Sequence, residues 1–385
     1  MADNIRKPKS DNTVFLDQPP SCLEFCPELP GHFVVGTYLL SETKNEGGEI
    51  QQAKTGSLQL WELDSRTHAL ALVQRLDLPY AVFDLHFHPS EKDKLAIASS
   101  TGAVALFTVS HAQNPPSITP IWTKQVHEDP SIPALFLAWA PEAWLPRSAS
   151  DGFAVTFSDS RTAVFATNGN LADESGLAEW GSFAARQMIE VWFVALSTAI
   201  QSSENGRQEK VPFMFTGNDF GSLHTRRFGE AGVELGPEEL PPLTLDHDDR
   251  ARHHTAGITS IVPLPVPLVD DAPVLLTGSY DETLRVYHAS RRGEVLVEQG
   301  LGGGVWRLQI LESKERQLDS ELAIERGVSW CWQATQQDGS SEWDIRVLAE
   351  FTEHESMNYA SDVWKGVKSE PAEGGIVLRP ALCVE

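Results

Sequence analysis

Apolar residues in this chain gather in short runs separated by small-residue turns. The clearest unit is Val274-Leu275-Leu276-Thr277-Gly278-Ser279-Tyr280-Asp281-Glu282-Thr283-Leu284-Arg285-Val286-Tyr287. A β-branched and aliphatic run leads into a tight turn carrying one Asp, and an alternating run ending on an aromatic follows, which predicts strand, hairpin, strand. The same order recurs at His32-Phe33-Val34-Val35-Gly36-Thr37 with Gly56-Ser57-Leu58, at Lys94-Leu95-Ala96-Ile97 with Gly102-Ala103-Val104, and at Phe213-Met214-Phe215-Thr216-Gly217 with Gly221-Ser222-Leu223.

A unit that recurs every ~40–50 residues predicts a closed array of small sheets, not a sum of unrelated domains. The expected fold is therefore all-β: a seven-bladed WD-repeat β-propeller formed by residues 1–385 as one domain. Inner strands are expected at 22–26, 83–87, 135–139, 189–194, 259–262, 305–308 and 359–363. A short run at 13–17 is expected to be an N-terminal strand completing the last blade with 354–385, because closure removes exposed sheet edges. No long amphipathic helix is expected.

Charge then narrows the partners. The chain has 30 Lys+Arg against 54 Asp+Glu, a formal net charge of −24. Such a surface repels phosphates and anionic lipid and favours cationic partners, so neither nucleic acid nor membrane is expected as a partner. The four cysteines show no C-x-x-C spacing, which fits a reducing compartment, and no run approaches the ~18 apolar residues of a span. A cytoplasmic monomer is expected.

Several groups could carry chemistry. His254, Ser279 and Asp281, with Tyr287 where a blade would have Trp, read as the buried hydrogen-bond chain that locks a WD blade; as a hydrolase triad they lack the turn a nucleophile needs. Asp84, His86 and His88 alternate onto one face of a strand, a donor set of metal-ligand type, although polar residues on inner strands are more simply hydrogen-bonded. His354 and Ser356 share a face if their segment is extended, and an imidazole is suited to take a proton from a hydroxyl or water near neutral pH. Gly302-Gly303-Gly304 allows close backbone approach, so its N–H groups could meet an oxyanion, or it is simply a tight connection between sheets. Trp306, Trp192 and Tyr280 fall near loops assigned to one rim, and aromatic faces beside Glu190 and Glu282 would suit a quaternary ammonium.

At these residues the chain resembles the WD-repeat diphthine methyl ester hydrolases of diphthamide biosynthesis. The resemblance rests on Gly278-Ser279-Tyr280-Asp281-Glu282-Thr283-Leu284-Arg285, on Gly303-Gly304-Val305-Trp306-Arg307-Leu308, and on His354-Glu355-Ser356 with Tyr359 and Asp362. It implies removal of the methyl ester from the modified histidine of elongation factor 2, giving diphthine and methanol without a cofactor or metal. Under that resemblance His354, Ser356 and Asp362 are the catalytic candidates. Trp306, Arg307, Gly303, Gly304, Glu190, Trp192, Tyr280 and Glu282 are the substrate-binding candidates. The alternative is a non-catalytic scaffold that binds elongation factor 2 or another cationic partner.

Overall fold

The computed structural model describes residues 5, 7–44, 50–110, 114–202, 208–230, 235–236, 238–314, 317–324, 328–336, 343–351, 353, 359–364 and 381–384. Among these, the chain forms one five-stranded, five four-stranded and one two-stranded antiparallel sheet. The only helical element among the described residues is a 3-10 turn at Glu174–Gly176. The four-stranded sheets are meanders: Val191–Ser202, Gln208–Asn218, Leu223–Phe228 and Leu243–Asp248 pair in chain order, as do Ile258–Pro263, Val274–Ser279, Thr283–His288 and Glu294–Gly300.

Second strands such as Val274–Ser279 and Phe213 to Asn218 are buried along their length, on both faces. That is why they read as continuous apolar runs and not as alternation. Outer strands such as Leu70–Leu78 are largely exposed or half-buried and carry the polar residues. Close approach between sheets sets where glycine is required. A Cβ on Gly278 would lie 2.2 Å from Val305 Cγ1 of the next sheet.

By contact the chain forms two compact units: Met1–Pro8 with Leu135–Met357, and Lys9–Ala134 with Asn358–Glu385. In the first, Phe136, Trp144, Phe193, Phe213 and Phe228 anchor one core cluster, and Leu276, Leu284, Val305 and Trp343 a second. In the other, Leu23, Phe25, Phe33, Trp61, Ala360 and Trp364 pack together.

The 13–17 run is not a strand. Its end is held by side chains instead of a backbone ladder: Asp17 pairs with Arg75, and Gln18 Oε1 accepts from Thr37 Oγ1 at 2.6 Å. Leu16 nevertheless packs against the cluster containing Ala360, Trp364 and Leu382. Strand structure begins at Pro20, and Phe25 N–H donates to Asp362 Oδ2 at 2.8 Å.

The expected blade lock is rewired. His254 meets Thr277 Oγ1 at 2.9 Å, while Ser279 Oγ donates to the Ala256 carbonyl. Asp281 accepts from Thr255 N–H and pairs with Arg285, and Tyr287 O–H donates to Asp249 at 3.4 Å. A phenol at the Trp position puts its polar atom at the far end of the ring, where Asp249 and not Ser279 lies within reach.

Candidate functional site

In the first unit, chain turns at one end of neighbouring sheets converge. Trp192 follows the first residue of its strand, Tyr280 follows Ser279 at a hairpin, and Trp306 is second in the strand Val305–Lys314. Trp192 and Trp306 meet edge to face with centroids 6.1 Å apart, and Tyr280 tilts against Trp306 at 5.5 Å. All three are half-buried. Aromatic pairs at such distances contribute about 0.5–1.5 kcal/mol each beyond area burial.

The hairpin 218–222 locks this corner. Asn218 Oδ1 accepts the N–H groups of Phe220 and Ser222, and Gly221 takes φ +84°, which this turn reserves for glycine. Asp219 N–H donates to the Glu190 carbonyl at 3.1 Å, and Trp192 Nε1–H donates to Asp219 Oδ1 at 2.9 Å. Tyr280 N–H donates to the Gly257 carbonyl, and Gly257 lies against Asp219. Trp192, Asp219, Tyr280 and Trp306 are thus one contiguous set. Phe220, 57% exposed, projects beside it.

Other expected residues are placed differently. Glu282 has φ +66° and its carbonyl accepts from Leu301 N–H. The Arg307 guanidinium lies 4.7 Å from the Phe136 ring centroid and 5.8 Å from that of Phe193. Gly303 and Gly304 are buried, and of the triplet Gly302 takes the positive φ. Asp362 belongs to the other unit, buried, with its two oxygens accepting from Phe25 and Val363 N–H. His354 and Ser356 lie outside the described residues.

Next to Trp192 is a small recess with room for about one water, with Val191, Thr216, Asn218, Ser222, His224 and Asp248 among its walls. Ser222, His224 and Asp246 there spell a triad, but the hydrogen bonds argue against one. Arg226 can only donate, so His224 Nδ1 accepts from it at 3.1 Å, and Nε2–H faces Asp246 at 2.6 Å. Burial, with the Arg226 charge, pushes this imidazole down to about 4. It is neutral at pH 7, with both nitrogens engaged, and is a poor base for Ser222.

The donor set expected on the 82–87 strand is an ion cluster in the second unit. His86 lies 3.2 Å from Asp84 and 3.3 Å from Glu24. Burial opposes its charging, but the two carboxylates outweigh that and keep it protonated up to about 10. His88 turns away, its Nδ1 accepting from Ser90 and Glu91 N–H. Sequence reasoning missed Asp219 and the recess, since a Gly-Asn-Asp-Phe-Gly stretch signals only a turn.

Comparison with known proteins comes down on the fold. A Sqt1 of Chaetomium thermophilum, solved bound to the N-terminus of ribosomal protein L10, aligns over 92% of this chain and 79% of its own, at TM-score 0.56 and 14% identity. A chain of the mitotic checkpoint complex aligns over 94% and 91%, at TM-score 0.50 and 11% identity. The fold is a WD-repeat β-propeller. Two curated proteins are similar in sequence. "Diphthine methyltransferase" of Schizosaccharomyces pombe is 24% identical over 93% of this chain and 91% of its own length, and the "Diphthine methyltransferase homolog" of Dictyostelium discoideum is 21% identical over 77% of each. No protein-family model matches the chain. No helix among the described residues is long and apolar enough to cross a membrane.

Proposed function

We propose that this propeller acts in diphthamide biosynthesis as a methyl ester hydrolase, converting the diphthine methyl ester on the modified histidine of elongation factor 2 into diphthine and methanol. The observation that carries this reading is the aromatic corner of Trp192, Tyr280 and Trp306 with carboxylate neighbours, in a chain whose curated relatives are named for diphthine. The substrate side chain bears a trimethylammonium group beside its ester, and aromatic faces in a chain of net charge −24 favour such a cation.

In this reading His354 is the general base. It takes a proton from Ser356 or a water, the resulting oxygen attacks the ester carbonyl, the C–OCH₃ bond breaks, and methoxide leaves as methanol with the proton from His354; where Ser356 is the nucleophile, a water deprotonated by His354 then attacks the acyl-serine, and the serine oxygen leaves with that proton to free the diphthine carboxylate. Backbone N–H groups near Gly303 and Gly304 stabilise the oxyanion; Asp362, whose oxygens accept from Phe25 and Val363 N–H, holds its own strand and takes no part in the proton transfer. Glu190 and Glu282 complete the negative field, and Arg307 holds the floor through Phe136 and Phe193. The reading places the protein in the cytoplasm with its substrate.

A scaffold reading also has support, since the similar Sqt1 was solved holding a ribosomal protein segment. Methanol released from methyl-esterified elongation factor 2 by the purified protein, and lost in His354→Ala, is the expected result. No methanol from the wild-type protein overturns the hydrolase reading in favour of the scaffold, and full activity in His354→Ala removes that residue as the base.

A further inference from the structure

We propose that Asp219 is the counter-ion of the aromatic corner and sets its preference for a quaternary ammonium over a neutral group of the same shape. The proposal rests on the reading above that the ligand of this corner is a trimethylammonium, and adds the residue that selects for its charge. Aromatic faces alone attract apolar and cationic groups alike; selection for charge needs a fixed anion beside them.

Asp219 meets that need in three ways. Its Oδ1 is held by Trp192 Nε1–H at 2.9 Å, so the carboxylate is fixed to one of the rings a cation would contact. Its backbone is fixed from both sides, by the Asn218 turn and by the bond from its own N–H to Glu190. Its Oδ2 has no hydrogen-bond or ion-pair partner among the described residues. The contrast with nearby acids is instructive. Asp281 is consumed by Arg285, and Asp246 by His224 and Arg226. Asp219, half-buried on the rim, has no cation against it among the described residues, which leaves its second oxygen open to a ligand.

The arrangement also explains Gly257. A Cβ there would stand 3.2 Å from Asp219 Oδ1 and 3.1 Å from its carbonyl oxygen, crowding the carboxylate. Phe220 follows Asp219 and is exposed, so a ligand carried on a protein loop meets an apolar side chain directly beside the charge.

The test uses the full chain and two ligands of equal shape, choline and its neutral isostere 3,3-dimethylbutan-1-ol, titrated by tryptophan fluorescence. The wild-type protein is expected to prefer choline by about tenfold or more. In Asp219→Asn, which keeps size and shape, the preference should fall to about one, with affinity for the neutral ligand within about twofold of wild type. Trp192→Phe keeps a ring but frees the carboxylate, and should give an intermediate preference. Unchanged far-UV circular dichroism and melting temperature confirm that both variants fold. A wild-type protein that binds both ligands equally, or an Asp219→Asn variant that keeps the full preference, overturns the proposal. Methanol release without a choline preference would remove the counter-ion and leave the hydrolase; a preference without methanol would do the reverse.

Discussion

Two charged corners, one in each compact unit, use their acids in opposite ways. In the unit containing residues 9–134, Glu24 and Asp84 close on His86, and Asp362 is spent on backbone N–H groups. In the unit containing residues 135–357, Asp219 is held by a tryptophan N–H, which positions the carboxylate without neutralising it. The first arrangement joins the strands Pro20–Phe25 and Val82–Phe87; the second leaves a residual negative field among aromatic rings. A charge whose partner lies within the chain stabilises the fold, and one whose partner does not is available for a ligand.

The largest way to break this comparison is Trp306→Ala, which removes the ring common to both aromatic contacts. Choline affinity is expected to fall by about tenfold or more in the fluorescence titration, with no change in the alkaline stability described below. On the other side, Asp84→Asn should lower stability to urea by about 2 kcal/mol, because a buried acceptor that balances His86 loses its charge. Its choline affinity should match wild type. An Asp84→Asn protein of full stability, or one that binds choline poorly, would dissolve the distinction.

A smaller effect is readable in pH. His86 is raised from 6.5 to about 10 by its carboxylates, so the folded state holds a proton that the unfolded chain releases above 6.5. Its contribution is complete below pH 6.5 and is lost as pH rises through about 10. The melting temperature should therefore fall by a few degrees over that window in wild type, and more shallowly in His86→Gln. Equal slopes would show that the cluster is not ionised as described.

Much of the architecture was legible because second strands read as continuous apolar runs and first strands such as Val82–Phe87 as alternation. Strands expected at 83–87, 135–139, 259–262 and 359–363 occur at Val82–Phe87, Ala134–Trp139, Ile258–Pro263 and Ala360–Val363. The 13–17 run misled because Val14, Phe15 and Leu16 imitate a strand, yet Val14 and Phe15 are exposed and the anchoring is done by Asp17 and Gln18. Trp192 and Trp306 stand at the same point of their repeats, each second in the first strand of its sheet, whereas Tyr280 comes from the hairpin after a second strand. Asp219 was not legible, because its importance comes from a bond to Trp192 that composition does not encode. The lock through His254 failed at the level of reach: the residue types were present, but Thr277 and Asp249 were nearer.

The central claim is cleavage of the acyl–oxygen bond of a methyl ester, and the position of a labelled oxygen tests it most directly. With purified protein and methyl-esterified elongation factor 2 in ¹⁸O-water, the account predicts ¹⁸O in the diphthine carboxylate and unlabelled methanol. Methanol carrying the label, or a methyl group that leaves the ester without appearing as methanol, would contradict it.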